Sequence, residues 1–236
     1  MKIAVLTTET THHAKFIMDM SKDGHDLFAV IDQRQIKKPF PTDHPYLKQQ
    51  CYFERQTFFN GEECSISDFC ETHEVHDVNC AHVLDVIATE APDVVVVFGT
   101  GIIRKPLIES CNGRLINLHG GDPELYRGLD THLWAIYHND FSQLVTSLHM
   151  VEPTLDTGAV LFKEQLDITN GMPLYQLRTA NTNSCISLAR KAIDQLAVNR
   201  LWHSTPLTSY GRYYSSMPSV LKEQCVKKFQ AYTNRL

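Results

Sequence analysis

Asn117 and His119 stand two residues apart in the stretch LINLHGGDPELYRG, residues 115–128. In an extended strand that spacing puts both side chains on one face of the sheet. A carboxylate follows at Asp156, in the turn-like segment LDTG of residues 155–158. An amide, an imidazole and a carboxylate together suit acyl-type transfer. The amide N–H can donate to a carbonyl oxygen as it becomes an oxyanion, a contact worth roughly 3–4 kcal/mol in the transition state. The imidazole can stabilise that oxyanion or take a proton from an incoming nucleophile, which is worth about 10²–10⁴-fold in rate. The carboxylate can orient the imidazole, raise its basicity or drain the proton through water. No serine or cysteine stands in a nucleophile-elbow pattern such as GxSxG. The attacking atom is therefore expected from a substrate, for example an amine.

Such a trio needs strands to carry it. KIAVLT at 2–7 is a short apolar run and predicts a buried strand. Ala14, Ile17, Met18 and Met20 recur at near-helical spacing and predict a helix over 12–23; residues 27–32 read as a second strand. This βαβ opening predicts a parallel sheet with a right-handed crossover. Residues 33–62 are polar and Pro-containing and read as a long loop or short insert. A helix is expected over 80–90. Val94–Phe98 has the unbroken apolar run of a central parallel strand. A short helix over 105–111 leads to strand 114–118, which delivers Asn117 and His119. Further on, a helix over 129–138, strands over 144–151 and 158–168 and a long helix over 173–198 are expected. The fold class is α/β, with a mostly parallel twisted sheet and helices on both faces. Residues 1–200 form the expected catalytic domain, and 201–236 a C-terminal tail appended for dimerisation or for the substrate site.

In open parallel sheets, ligands bind beyond the carboxyl ends of the strands. At one such end, Phe98-Gly99-Thr100-Gly101 offers small residues against which a flat ligand can lie. His12 and His13 lie beyond another and either face an acceptor or start a solvated helix. The net charge of −5 over 236 residues argues against a nucleic-acid surface, which shows a basic stripe. The longest apolar run, 94–103, is too short to span a bilayer. Seven cysteines without a disulfide-like rhythm read as reduced thiols of a cytoplasmic protein. Cys64, Cys70, His73, His76 and Cys80 do not follow a standard zinc spacing, and no metal is expected.

N-L-H at 117–119, Y-R-G at 126–128, W-A-I at 134–136 and L-D-T-G at 155–158 together resemble the N10-formyltetrahydrofolate-dependent formyltransferases. The resemblance covers residues 93 to about 165 well and the N-terminal βαβ loosely. It implies a Rossmann-like fold and places the catalytic roles on Asn117, His119 and Asp156. It implies N10-formyltetrahydrofolate as co-substrate, lying along Phe98, Gly99, Thr100, Gly101 and Ile102 and the loop up to Asp156. The family usually continues after the His with a Pro-Ser-Leu-Leu-Pro type loop. Here Gly120-Gly121-Asp122-Pro123 follows, and Thr131 replaces a common proline. These departures and the tail GRYYSSMP look closer to the nucleotide-sugar N-formyltransferases of polysaccharide synthesis, such as those acting on GDP-perosamine. The implied acceptor is the 4-amino group of a nucleotide-linked deoxysugar. His12, His13, Tyr126, Arg127, Arg212 and Tyr214 are the candidate contacts to it, with the arginines suited to phosphate oxygens. Arg127 either touches substrate or braces its loop, and Trp134 reads as core. A homodimer is expected, as in the sugar-modifying relatives.

Other acceptors share this core. Initiator-tRNA formylation calls for a further C-terminal domain and a basic surface, and formyltetrahydrofolate hydrolysis for an extra N-terminal domain; neither is expected here. Glycinamide ribonucleotide formylation is the main alternative, with a different loop after the His. A binding module without transfer activity would not need all three of Asn117, His119 and Asp156.

Overall fold

The computed structural model describes residues 1–34 and 38–236. Its main sheet has seven strands in the order β3-β2-β1-β4-β5-β7-β8. The parallel half comprises β1 (Lys2–Thr7), β2 (Asp26–Asp32), β3 (Glu71–Val75), β4 (Val94–Phe98) and β5 (Leu115–His119). β7 (Val145–Met150) and β8 (Val160–Gln165) continue it antiparallel. The order is that of a Rossmann-like sheet, as expected.

Alternation along the central strands builds two cores. Ile3, Val5, Val94, Val96, Ile116 and Leu118 pack with α1 (Thr11–Ser21) and α6 (Leu177–Asn199). Ala4, Leu6, Val95, Val97 and Leu115 pack on the other side, with α3 (Ala81–Glu90) and α4 (Lys105–Ser110). Both faces are thus covered, which is why the strands read as continuous apolar runs. Asn117 and His119 continue the face that Leu115 begins, beyond the point where apolar partners end.

A third core joins α5 (Thr131–Tyr137) to the C-terminal α7 (Ser219–Thr233) through Leu133, Ile136, Leu174, Met217 and Phe229. A small parallel sheet pairs β6 (Tyr126–Gly128) with β9 (Arg212–Tyr214), tying the tail to the segment after His119.

Within residues 33–62, read as a long loop or short insert, residues 35–37 lie outside the described residues and Leu47–Phe59 is a helix, α2. Its buried residues are Gln50, Glu54 and Phe59. Glu54 is fully buried and takes both arms of Arg178 at 2.6 Å. A helix whose inward face is polar leaves no apolar periodicity to read. No helix of the described residues is long and apolar enough to cross a membrane.

Candidate active site

β5 ends at the carboxyl edge of the sheet, and β7 runs back beside it. The register sets Asn117 opposite His149 and His119 opposite Ser147. Asp156 lies in the connection between β7 and β8, in a left-handed conformation with φ 52°. That connection crosses close to its own strand: a Cβ on Gly158 would lie 1.8 Å from the Met150 carbonyl oxygen. The glycine of LDTG is what lets the loop fold over and bring Asp156 back to β5.

The three side chains predicted to act together do meet. Asp156 Oδ2 stands 3.7 Å from His119 Nδ1, and Oδ1 stands 3.5 Å from His149 Nε2. Asn117 Nδ2 donates to His149 Nε2 over 3.1 Å, while His149 Nδ1 donates to the Met150 carbonyl over 2.7 Å. The backbone bond fixes the tautomer, leaving Nε2 as the acceptor. One amide hydrogen of Asn117 is thereby anchored and the other is left for a ligand.

His119 Nε2 donates to the Tyr126 carbonyl over 2.8 Å, and the Gly128 N–H donates to Asp156 Oδ2 over 2.8 Å. The Tyr-Arg-Gly stretch thus serves the site with its backbone. Gly128 has φ 96°, and a Cβ there would lie 2.1 Å from the Tyr214 carbonyl. Pairing with β9 therefore requires glycine at this position. Its side-chain neighbours face elsewhere. The Tyr126 hydroxyl donates to Asp140 at 3.0 Å, and its ring stacks on Tyr214. Arg127 donates to the carbonyls of Gly211 and Leu155, bracing the loop. Arg212 lies over the Tyr214 ring. None of these four side chains is on the cavity wall described next.

The loop after His119 closes on itself. Thr131 donates to the Gly120 carbonyl, and Ser147 to the Gly121 carbonyl at 2.7 Å. The hydroxyl at 131, one of the departures from the family's pattern, secures the Gly-Gly turn.

Electrostatics divide the labour. Burial pushes the His119 pKa down against the pull of Asp156, so the imidazole is neutral near pH 7. Burial raises the Asp156 pKa, but attraction to His119 and the bond from the Gly128 N–H outweigh it and hold the carboxyl at about 2. A fixed carboxylate beside a neutral base is an arrangement that can accept a proton and hold it.

Asn117, His119, His149 and Asp156 all line one cavity of about 820 Å³. Gly99, Thr100, Gly101 and Ile102 line it too. Phe98 does not; its ring is buried against His13 and Phe16. His12 reaches the wall. His13 is not on the wall; it is bonded through Nδ1 to the Thr8 carbonyl at 2.9 Å and packs on Phe98. His44, Tyr46, Gln50, Arg178 and Asn181 line the same cavity, and none of them was pointed to by the sequence motifs. No group of three or more His, Cys, Asp or Glu suited to a metal ion occurs among the described residues.

Comparison with known proteins follows the same lines. The family model for formyl transferases matches residues 1–183. The methionyl-tRNA formyltransferase of Clostridium acetobutylicum is 32% identical over 120 residues, which are 50% of this chain and 38% of that enzyme. The Rv3404c protein of Mycobacterium tuberculosis, described as a sugar N-formyltransferase candidate, superposes with a TM-score of 0.62 at 14% identity, over 91% of this chain and 75% of that one. PseJ of Anoxybacillus kamchatkensis, a formyltransferase solved with UDP-4,6-dideoxy-4-formamido-L-AltNAc and tetrahydrofolate, superposes at 0.55 and 16% identity, over 91% and 86% of the two chains. At such identities the likeness establishes a shared fold. The family match, by contrast, runs unbroken through every strand of the main sheet and takes in Asn117, His119 and Asp156, and this chain belongs to the formyl transferase family.

Proposed function

We propose that this chain transfers the formyl group of N10-formyltetrahydrofolate to the amino group of a nucleotide-linked amino-deoxysugar. The acceptor is a GDP- or dTDP-linked 4-amino sugar, GDP-perosamine first among them, in the assembly of a surface polysaccharide. The observation that carries this reading is the convergence of Asn117, His119 and Asp156 on one cavity with no serine or cysteine among the described residues of its wall. An amide, an imidazole and a carboxylate around a cavity wall with no serine or cysteine among its described residues suit direct transfer between two substrates.

The donor side fits a flat heteroaromatic ring. Val97, Ile103, Val151 and Leu155 supply apolar walls around the open backbone of 99–102. In the reaction an amine nitrogen forms a bond to the formyl carbon and the carbon–N10 bond breaks. One amine proton ends on N10. The free amide hydrogen of Asn117 donates to the formyl oxygen as it gains charge. His119 takes the amine proton at Nδ1, the nitrogen that faces Asp156, and the nearby carboxylate stabilises the imidazolium. The proton then leaves to N10 through His119 or water. PseJ supports the substrate class, since it was solved with tetrahydrofolate and a nucleotide-linked formamido sugar. The 201–236 segment is proposed as the dimerising or substrate-side appendage; Tyr210 and Val220 stay exposed on it.

The test is mass spectrometry of a panel of nucleotide amino sugars incubated with formyltetrahydrofolate. A formyl gain on a 4-amino sugar is expected, lost in His119→Ala with ligand binding retained. Formylation of glycinamide ribonucleotide, and of no sugar, would refute this reading.

A further inference from the structure

We propose that Lys222, on the C-terminal helix, acts through His44 to aim the phenol hydrogen of Tyr46 into the cavity, where it binds a hydroxyl or ring oxygen of the acceptor sugar. The ligand assigned here rests on the proposed function; the relay does not.

Lys222 is only 2% exposed. Its ammonium has three hydrogens and no acceptor. Its three neighbours are the Thr42 carbonyl at 2.7 Å, His44 Nε2 at 3.2 Å and Asp130 Oδ2 at 3.2 Å. His44 Nε2 must therefore accept, and the hydrogen of a neutral imidazole must sit on Nδ1. Nδ1 lies 3.1 Å from the Tyr46 hydroxyl, which must then receive that bond. The phenol hydrogen is left to point elsewhere. The described residues offer it no other partner, and His44 and Tyr46 both line the cavity. Burial, with Lys222 beside it, brings the His44 pKa down to about 4, in keeping with a neutral ring.

The two nearest cations are already paired. Lys222 is paired with Asp130, and Arg178 with Glu54 through two bonds of 2.6 Å. With these two cations neutralised, the group nearest the phenol hydrogen need carry no charge, and a hydroxyl or ring oxygen satisfies it; Lys38, also on the wall, is left for any anionic part of the ligand. Lys222 lies beyond the residues matched by the family model, while His44 and Tyr46 lie within them, so the C-terminal segment supplies the head of the relay.

The closing experiment has two readouts. The first needs no substrate: ¹⁵N–¹H correlation of the His44 imidazole should show the Nδ1–H form in the wild type and a mixture of tautomers in Lys222→Met. The second is steady-state transfer to the best amino sugar. Tyr46→Phe should raise its KM roughly three- to tenfold, the size of one net hydrogen bond, with the KM for formyltetrahydrofolate unchanged. Lys222→Met should raise the same KM in the wild-type background but not in Tyr46→Phe, and Lys222→Arg, also a pure donor, should restore it. An Nε2–H form in the wild type, or independent effects of the two substitutions, would overturn the relay. A wild type that transfers to no amino sugar would overturn the proposed function and the ligand assigned here, while the His44 tautomer would still decide the relay.

Discussion

Replacing His149 with phenylalanine is expected to lower kcat by about 10–100-fold while leaving the KM for formyltetrahydrofolate nearly unchanged. His149 is 2% exposed and holds Asn117 Nδ2 at 3.1 Å. Phenylalanine keeps a ring in the space but removes the acceptor. The lower bound on the effect is one net hydrogen bond, about 0.5–1.5 kcal/mol or up to roughly tenfold. The upper bound is complete loss of the oxyanion donor, about 10²–10³ in kcat. An Asn117 amide free to rotate still donates part of the time, so the result should fall between them. Single-turnover transfer at saturating substrates isolates the chemical step. The decisive comparison is the double variant. If His149 acts by aiming Asn117, His149→Phe should cost under about threefold in an Asn117→Ala background. An undiminished second loss there would show that His149 works by another route, and an unchanged kcat in the single variant would refute the reasoning outright.

Asp156→Asn should lower kcat by about 10²–10⁴, because it removes the charge that stabilises a protonated His119. It should also lower the His119 pKa further, since the carboxylate opposes the effect of burial, and an imidazole NMR titration reads this directly. Stability should fall in acid well before the carboxylates titrate. Burial lowers His13 to about 3, and His44 and His132 to about 4, against about 6.5 in the unfolded chain. Below pH 6.5 the unfolded chain therefore binds protons that the native state refuses. The stabilisation is complete above pH 6.5 and drains away toward pH 4, at up to about 1.4 kcal/mol per pH unit for each histidine. Urea midpoints at pH 7, 6 and 5 test it, and a flat series contradicts it. Glu54→Ala should destabilise by about 3–5 kcal/mol, because Arg178 loses its buried partner. The fall in Tm should be roughly 6–20 °C, and Arg178→Met in the same chain should recover part of it.

How much of this was open to reading from sequence depended on which physical signal each residue carried. Val94–Phe98 and Leu115–His119 announced themselves because a two-sided core demands unbroken apolar runs, and a polar Asn117 and His119 at the end of such a run stand out. α2 was hidden because its inward residues are Gln50 and Glu54, whose burial depends on an arginine 124 residues away. β3, with two of its five residues exposed at the edge of the sheet, and the three-residue β6 and β9 lack the length for any periodicity to show. His149 lay in a correctly expected strand, but an antiparallel register is not written in one strand alone; only the pairing with β5 sets it opposite Asn117. Tyr126 and Arg127 were conspicuous by type, yet the stretch reaches the site through the Tyr126 carbonyl and the Gly128 N–H. A motif identifies the segment that matters without saying whether its side chains or its backbone do the work.

The site's construction has a consequence for acceptor choice. Asn117, His119, His149 and Asp156 hang on β5, β7 and the loop between β7 and β8, inside the family-matched residues, and their geometry is fixed by main-sheet register and backbone bonds. The wall at His44, Tyr46 and Gln50 rests instead on α2, the segment carrying His44 and Tyr46, and a lysine from α7, while Arg178 and Asn181 come from α6, which packs on β7. Because α2, the 44–46 segment and α7 do not pair with β5 or β7, changes in them can reshape that wall without moving the reacting groups. Substitutions at Tyr46, Gln50 or Lys222 should therefore alter which amine is accepted, seen as KM differences across an acceptor panel. Substitutions at Asn117, His119 or Asp156 should depress kcat for every acceptor alike.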